Sequence, residues 1–335
     1  MLNIRKNNEK NEIPTNQGFH LIKVKQNIFL FLQMEAYESL EKTKLINQQK
    51  HVLNKKVTHH KLIIGNCMDM SEIPDGSVHL AVTSPPYFNA PFDYKGLFKD
   101  YQQYLSVLRK FTKEAFRVLA EGRIFVLNID DMLIDGEKFP IVADAIKTFQ
   151  KAGFRYRDRI IWKKPEGYIR ISRRSGVILQ NPYPMYFYPD NLLESIIIFQ
   201  KGKFDYKSIN KEIREESKVD IKEFQQKKWF ITLWEMNNVM PGSPLEKNIA
   251  AFPEELPYRA IKLFSYVGET VLDPFAGSGT TMKIARQLGR NSIGIEIKKS
   301  LISIIKEKLG FSGQEILFKN DDTFEIIERA KGWIK

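Results

Sequence analysis

From Lys61 onward the chain alternates short apolar runs with longer stretches in which apolar residues recur every three or four positions. Leu62-Ile63-Ile64 and Val78 to Val82 are of the first kind, the pattern of strands covered on both faces. Tyr101, Leu105, Leu108, Phe111, Ala115 and Val118 are of the second and predict a helix with Asp100 as its N-cap. Arg123 to Leu127 predicts the next strand and Pro140 to Lys151 the next helix, followed by strands near Tyr156 to Trp162 and Glu194 to Phe199. A helix over Glu254 to Phe264, a strand at Thr270 to Leu272, a helix over Thr280 to Leu288, a strand at Ser292 to Ile295 and a helix over Lys299 to Leu309 complete the series. Such alternation predicts an α/β fold with a doubly wound, mostly parallel sheet, whose ligands bind beyond the carboxyl ends of the strands.

Two stretches break the pattern. Residues 1–57 are rich in Lys, with an isolated apolar run at Asn27 to Leu32 and a helix-like stretch at Glu35 to Leu45, and read as an appended basic arm. Between Gly202 and Lys228 no long apolar run occurs and basic residues outnumber acidic ones, as expected of an insertion. No internal repeat is evident.

Composition narrows the class. A chain of 335 residues, 43% hydrophobic, can bury a large core, and its formal charge of +12 suits a polyanionic partner. No apolar run approaches the ~20 residues that span a bilayer, and Met1 to Lys10 lacks the basic-then-apolar order of a signal peptide, so a cytoplasmic location is expected. Cys67 is the one cysteine and the five His residues lack ligand spacing, which argues against a disulfide and against a metal centre.

Two loops carry candidate chemistry. Thr270 to Thr281 reads as a buried strand, a glycine turn at Gly277 and Gly279, and a helix start with free N–H groups. Its spacing matches neither a dinucleotide loop nor a phosphate loop. An acid, Glu296, ends the next strand, where it suits the hydroxyls of a ribose or is simply a solvated strand-end charge. The second loop, Thr83-Ser84-Pro85-Pro86-Tyr87, is stiffened by two prolines that remove N–H donors and leave carbonyls free to accept. The Ser84 hydroxyl and the Pro85 carbonyl can both accept from an amino group, and Tyr87 offers a face for stacking a base. Each loop alone also fits an ordinary turn.

Together the two loops resemble the DNA amino-methyltransferases, in which a [DNS]-P-P-[YFW] tetrapeptide, here Ser84 to Tyr87, accompanies D-P-F-x-G-x-G-T-T, here Asp273 to Thr281. The catalytic motif comes first, as in the permuted beta subgroup. The resemblance runs from about Lys61 to Leu309 and includes Arg117-Val-Leu, Ile161-Trp-Lys-Lys-Pro, Ile196 to Gly202 and Ala251-Phe-Pro-Glu-Glu-Leu256. It departs from the family where Asn66 follows Gly65 in place of an Asp and where Asn248 stands in place of a His.

The resemblance implies a Rossmann-like, seven-stranded methyltransferase sheet and S-adenosyl-L-methionine as cofactor. The expected catalytic residues are Ser84, Pro85, Pro86 and Tyr87, with Phe88 read as core. The expected cofactor contacts are Asp273, Pro274, Phe275, Ala276, Gly277, Ser278, Gly279, Thr280, Glu296, Phe252, Pro253 and Asn66. Halves at 58–201 and 246–335 would flank a target-recognition insertion at 202–245. Between residues 151 and 174 the basic side chains Arg155, Arg157, Arg159, Lys163, Lys164, Arg170, Arg173 and Arg174, interleaved with Tyr156, Trp162 and Tyr168, suit phosphate contact or form a solvated charged face.

The expected activity is methylation of an exocyclic amine of a flipped base in double-stranded DNA, cytosine N4 ahead of adenine N6 because Ser opens the tetrapeptide. A restriction-modification setting with a cognate endonuclease and a homodimer is the context the family suggests. Methylation of RNA or protein, whose enzymes mostly order the motifs the other way, and an inactive DNA-binding relative are the rival readings.

Overall fold

The computed structural model describes residues 56–88, 97–165, 180–185, 187, 189, 191–239, 251–312 and 321–329. The chain divides into Met1–Lys55 and Lys56–Lys335, and every described residue belongs to the second unit. Residues 1–55 of the basic arm, together with Arg170, Arg173, Arg174, Tyr168 and Asn248, lie outside the described residues.

Strands β1 (His59–Ile64) and β2 (Val78–Thr83) precede helix α1 (Tyr101–Val118), strand β3 (Leu119–Ile129) and a small hairpin of β4 (Met132–Ile134) and β5 (Glu137–Phe139). Helix α2 (Ile141–Lys151), strands β6 (Arg155–Lys163) and β7 (Leu193–Gln200), short helices α3 (Lys211–Glu216) and α4 (Ile221–Gln226) and strand β8 (Leu233–Glu235) follow. Helix α5 (Glu255–Phe264), strand β9 (Thr270–Asp273), helix α6 (Thr280–Gln287), strand β10 (Asn291–Glu296), helix α7 (Ile302–Leu309) and strand β11 (Thr323–Glu328) complete the series.

The main sheet has nine strands in the order β11-β1-β10-β9-β2-β3-β7-β6-β8. Only β7 runs against the rest, pairing antiparallel with both β3 and β6. The seven strands expected are thus extended by one at each edge. β11 pairs in parallel along all of β1, and β8 covers only Ile161 to Lys163 of β6. β8 is too short, at three residues, to show periodicity, whereas the alternation of Phe324 and Ile326 with Thr323 and Glu325 in β11 is a brief half-buried pattern that sequence reasoning missed.

The apolar runs become strands covered on both faces, which removes the need for polar alternation. Phe125, Leu127, Ala81 and Phe199 face one side, with Phe111 of α1 and Phe149 of α2. Ile124, Val126, Leu80 and Ile198 face the other, with Leu256 of α5 and Ile284 of α6. Helix α1 starts where predicted, the Asp100 carboxylate accepting from Gln103 N at 2.8 Å. It buries Tyr104, Leu108, Phe111, Ala115 and Val118 at helical spacing.

The insertion begins at the amino edge of the sheet. Phe204 lies under the Arg123 guanidinium, 4.8 Å from Cζ to the ring centroid, and the Ser217 hydroxyl oxygen accepts from Val267 N at 2.8 Å. The chain then passes α5, where Tyr258 donates to Glu223 at 3.1 Å, and reaches the carboxyl edge through β8.

Phe149 is fully buried, stacked on Phe199 at a centroid distance of 4.3 Å and edge-on to Phe125 at 5.0 Å. Phe149→Ala should lower unfolding stability by ~3–5 kcal/mol and Phe149→Leu by less than half as much, read from denaturant midpoints at constant slope.

Candidate active site

Strands β2 and β9 are neighbours, pairing Leu80 with Val271 and Ala81 with Leu272, so the loops that leave their carboxyl ends emerge side by side. The last residues of the two strands join them: Thr83 Oγ1 donates to Asp273 Oδ1 at 2.6 Å, both side chains buried. The same carboxylate oxygen accepts from Phe275 N at 3.2 Å, which starts the turn.

The glycine turn is then built from two left-handed residues, Gly277 at φ +53° and Gly279 at φ +84°, the latter capping α6. A side chain at Gly279 would also press on Ile305 of α7, since a Cβ there would lie 3.2 Å from its methyl. Ala276 N donates to Ile295 O at 2.9 Å and Gly277 N to Glu296 Oε2 at 2.9 Å, fixing the turn against the end of β10. The other carboxylate oxygen of Glu296 accepts from Lys298 N at 2.8 Å, and the residue is 3% exposed. Glu296 is therefore no solvated strand-end charge. Lys308 of α7 donates to Ser278 Oγ at 2.6 Å and Thr280 Oγ1 at 2.8 Å.

A narrow cleft, about 290 Å³ when the open solvent at its mouth is counted, lies over this turn. It is lined by Ser84 from the proline loop, by Ala251 and Phe252, and by Asp273, Phe275, Ala276, Gly277, Ser278 and Thr280. The structure thus brings together one catalytic candidate and most of the cofactor candidates. Pro253 and Pro274 are buried beside the cleft. Asn66 follows β1, next to β10, but its Oδ1 accepts from Met68 N at 3.0 Å and so braces its own loop.

Pro85 is buried, while Ser84, Pro86 and Tyr87 are partly exposed. Burial and the Glu194 carboxylate raise the Tyr87 phenol well above its ordinary range, so it stays a hydrogen-bond donor. Phe88 is core, edge-on to Phe139 at 5.0 Å. Cys67 is buried, with its thiol pushed up to about 12 by burial, and is no thiolate nucleophile.

The basic residues of β6 are spread from one end of the sheet to the other. Lys163 and Lys164 stand at the carboxyl edge with Ser84. Arg155, by contrast, donates to Gly202 O at 3.2 Å, and Arg157 lies 5.7 Å over Phe264, both at the amino edge. Eight residues of strand separate Arg155 from Lys163, roughly 25 Å at strand rise. Arg159, between them, donates to Ser195 Oγ at 2.7 Å.

Sequence reasoning missed Thr83, Lys308, Asn128 and Glu194, and read Lys164 as a phosphate contact where the structure pairs it with Glu194 behind the proline loop. Thr83 adjoins the proline motif and could have been suspected; the others are brought in by strand order alone.

The DNA methylase family model matches residues 78–307. The chain is similar to the Type II methyltransferase M.MjaI of Methanocaldococcus jannaschii, 37% identical over 82% of this chain and 98% of that one. It is also similar to the Type II methyltransferase M.MthZI of Methanothermobacter thermautotrophicus, 32% identical over 82% of this chain and 84% of that one. Among solved structures it superposes on TTHA0409 of Thermus thermophilus in complex with S-adenosyl-L-methionine, with a TM-score of 0.63 and 28% identity over 82% of this chain and all of that one.

Burial pushes the Asp273 carboxyl up to about 6, with the Thr83 hydroxyl and the Phe275 N–H acting in the opposite sense. A carboxyl whose folded value lies above its unfolded value contributes stability below the unfolded value and loses it as pH rises through the folded one. Asp273→Asn should therefore gain stability relative to the parent between pH 4 and 7, by up to ~3 kcal/mol, and level off above. Denaturation midpoints across that range check it; parallel curves for the two proteins would count against a raised carboxyl.

Proposed function

The chain belongs to the family of N6/N4 DNA methylases, and from that premise we propose that it transfers a methyl group from S-adenosyl-L-methionine to N4 of cytosine in double-stranded DNA. That it is a DNA amino-methyltransferase dependent on this cofactor follows from the family. The choice of cytosine rests on Ser84 at the head of the tetrapeptide. The names of the relatives support a place in a restriction-modification system, with a cognate endonuclease as the partner enzyme.

The observation that carries the reading is the Thr83–Asp273 hydrogen bond, which holds the start of the proline loop, with Ser84, at the wall of the cleft over the glycine turn. The residues of the cleft fit the cofactor. They offer a glycine backbone for close approach and the Phe252 and Phe275 side chains for apolar contact, with the buried Glu296 carboxylate bracing the glycine turn beneath. When bound there, the cofactor supplies a methyl group on a positively charged sulfur.

Ser84 and the Pro85 carbonyl accept from the amino group of the base, favouring a pyramidal nitrogen whose lone pair points away from the ring. Pro85 and Pro86 hold those acceptors without competing N–H donors. Tyr87 gives the extruded base a face to stack on. Holding both reactants in line can supply ~7–11 kcal/mol of barrier lowering, enough that no covalent enzyme intermediate is required.

Protein incubated with isotopically labelled S-adenosyl-L-methionine and unmethylated genomic DNA should yield labelled N4-methylcytosine, identified by mass spectrometry of the nucleosides. Ser84→Ala should lower the yield rate ~100-fold, the scale for losing one preorganised hydrogen-bonding group. Label in N6-methyladenine would move the target to adenine with the site unchanged, and label absent from DNA would sink the reading.

The sheet geometry separates the basic residues of β6 by position, and DNA at the carboxyl edge would meet only some of them. Lys163→Ala should weaken DNA binding and reduce the slope of log Kd against log salt by about 1, whereas Arg157→Ala should leave both within error. Equal losses for the two variants would place the DNA across both ends of the sheet.

A further inference from the structure

Behind the proline loop, one carboxylate gathers donors from three other strands or strand ends. Tyr87, in the loop after β2, donates its hydroxyl to Glu194 Oε2 at 2.9 Å. Asn128 on β3 donates from Nδ2 to the same oxygen at 2.7 Å and lies 3.4 Å from the Tyr87 hydroxyl. Lys164, just past β6, pairs with Glu194 Oε1. Glu194 itself stands near the start of β7, so the four residues come from four adjacent strands, β2, β3, β7 and β6.

The group is shielded: the side chains of Lys164 and Glu194 are 21% and 12% exposed, and Asn128 is 2% exposed. Hydrogen bonds in such surroundings fix orientation more firmly than surface bonds do. Asn128 supplies a second sign. Its Oδ1 is buried with no hydrogen-bond partner, although a buried acceptor left unmade costs ~1–3 kcal/mol. Turning the amide over would bring that oxygen against the Glu194 carboxylate, so the amide keeps a costly orientation that serves Glu194 and Tyr87.

Tyr87 is only partly buried, its ring against the core and its hydroxyl held. A ring packed on one side retains freedom to tilt unless its far end is tied, and the Glu194 carboxylate is the tie.

We propose that Glu194 is a positioning residue for methyl transfer: through the Tyr87 hydroxyl it fixes the plane of the ring on which the extruded base stacks, and so the placement of the amino nitrogen beside Ser84. This deepens the proposed function and rests on Ser84 to Tyr87 being the target-base site. Misplacement of a reactant by about 1 Å can cost ~100-fold in rate, so a tie of this kind acts on the transfer step and leaves cofactor affinity alone.

The test is a double-mutant cycle on single-turnover methyl transfer to DNA, with cofactor affinity measured in parallel. Glu194→Ala and Tyr87→Phe, which keeps the ring and loses the hydroxyl, should slow transfer by similar factors, ~10- to 100-fold. Because Glu194 acts through that hydroxyl, the double variant should be no more than about twofold slower than Glu194→Ala alone. Glu194→Gln, which keeps the volume and an acceptor, should be faster than Glu194→Ala, and its cycle with Tyr87→Phe decides the matter should the alanine variant not fold. Losses that multiply, or a fall in cofactor affinity matching the fall in rate, would assign Glu194 a merely structural role and overturn the inference while the function stands. Absence of transfer to DNA by the parent protein would overturn the function and the inference with it.

Discussion

A single buried hydrogen bond, from Thr83 to Asp273, registers the proline loop against the glycine turn, the two loops on which the proposed chemistry depends. Its partners are 190 residues apart in sequence, yet they end neighbouring parallel strands and so meet at one edge of the sheet. Burying a carboxylate opposes its ionisation, and the bonds it accepts from a hydroxyl and a backbone N–H offset part of that cost. The proline loop cannot drift from the glycine turn without taking the hydroxyl donor away from that buried carboxylate.

The two edges of the sheet divide the work. At the amino edge, Arg123 forms an ion pair with Glu269 at 2.5 Å, and Arg290 donates to Ser265 O at 2.7 Å. His60 bridges Thr58 Oγ1 at 2.9 Å and Ser292 Oγ at 2.7 Å. These polar groups close strand ends and hold connections in place. At the carboxyl edge the polar groups converge instead on loops, where parallel strands leave their side chains around a crevice. Arg155 and Arg157, though part of the most basic stretch of the chain, belong by position to the amino edge, where one meets a carbonyl and the other an aromatic ring.

Much of this was legible in the sequence, for identifiable reasons. Strands covered on both faces leave uninterrupted apolar runs, and Asp100, Gly277 and Gly279 mark helix and turn boundaries by their own chemistry. β8 and β11 escaped because an edge strand needs neither length nor a continuous apolar face. The basic run was legible as charge but not as place: residues from 155 to 163 span the whole sheet, and sequence proximity says nothing about which edge each one meets. Glu194 carried no signal at all, since its partners Tyr87 and Asn128 lie 107 and 66 residues away and are assembled by strand order.

Glu296 shows what the structure adds to a motif. From sequence alone an acid at the end of β10 suits a ribose or mere solvent, and the two readings predict different surroundings. A solvated charge would face water with mobile partners; Glu296 is instead buried, with one oxygen on the N–H of Gly277 and the other on the N–H of Lys298. Both donors are backbone groups, one of them in the left-handed glycine turn, so the carboxylate and the turn orient each other before any ligand arrives. Gly294, two residues earlier, lets the strand lie close beneath that turn, since a Cβ there would collide with the Met282 sulfur and lie 3.1 Å from Ala276 Cβ. Preorganisation of this kind lowers the ordering cost of binding, and it accounts for an acid and a glycine sharing one strand end beneath the glycine turn.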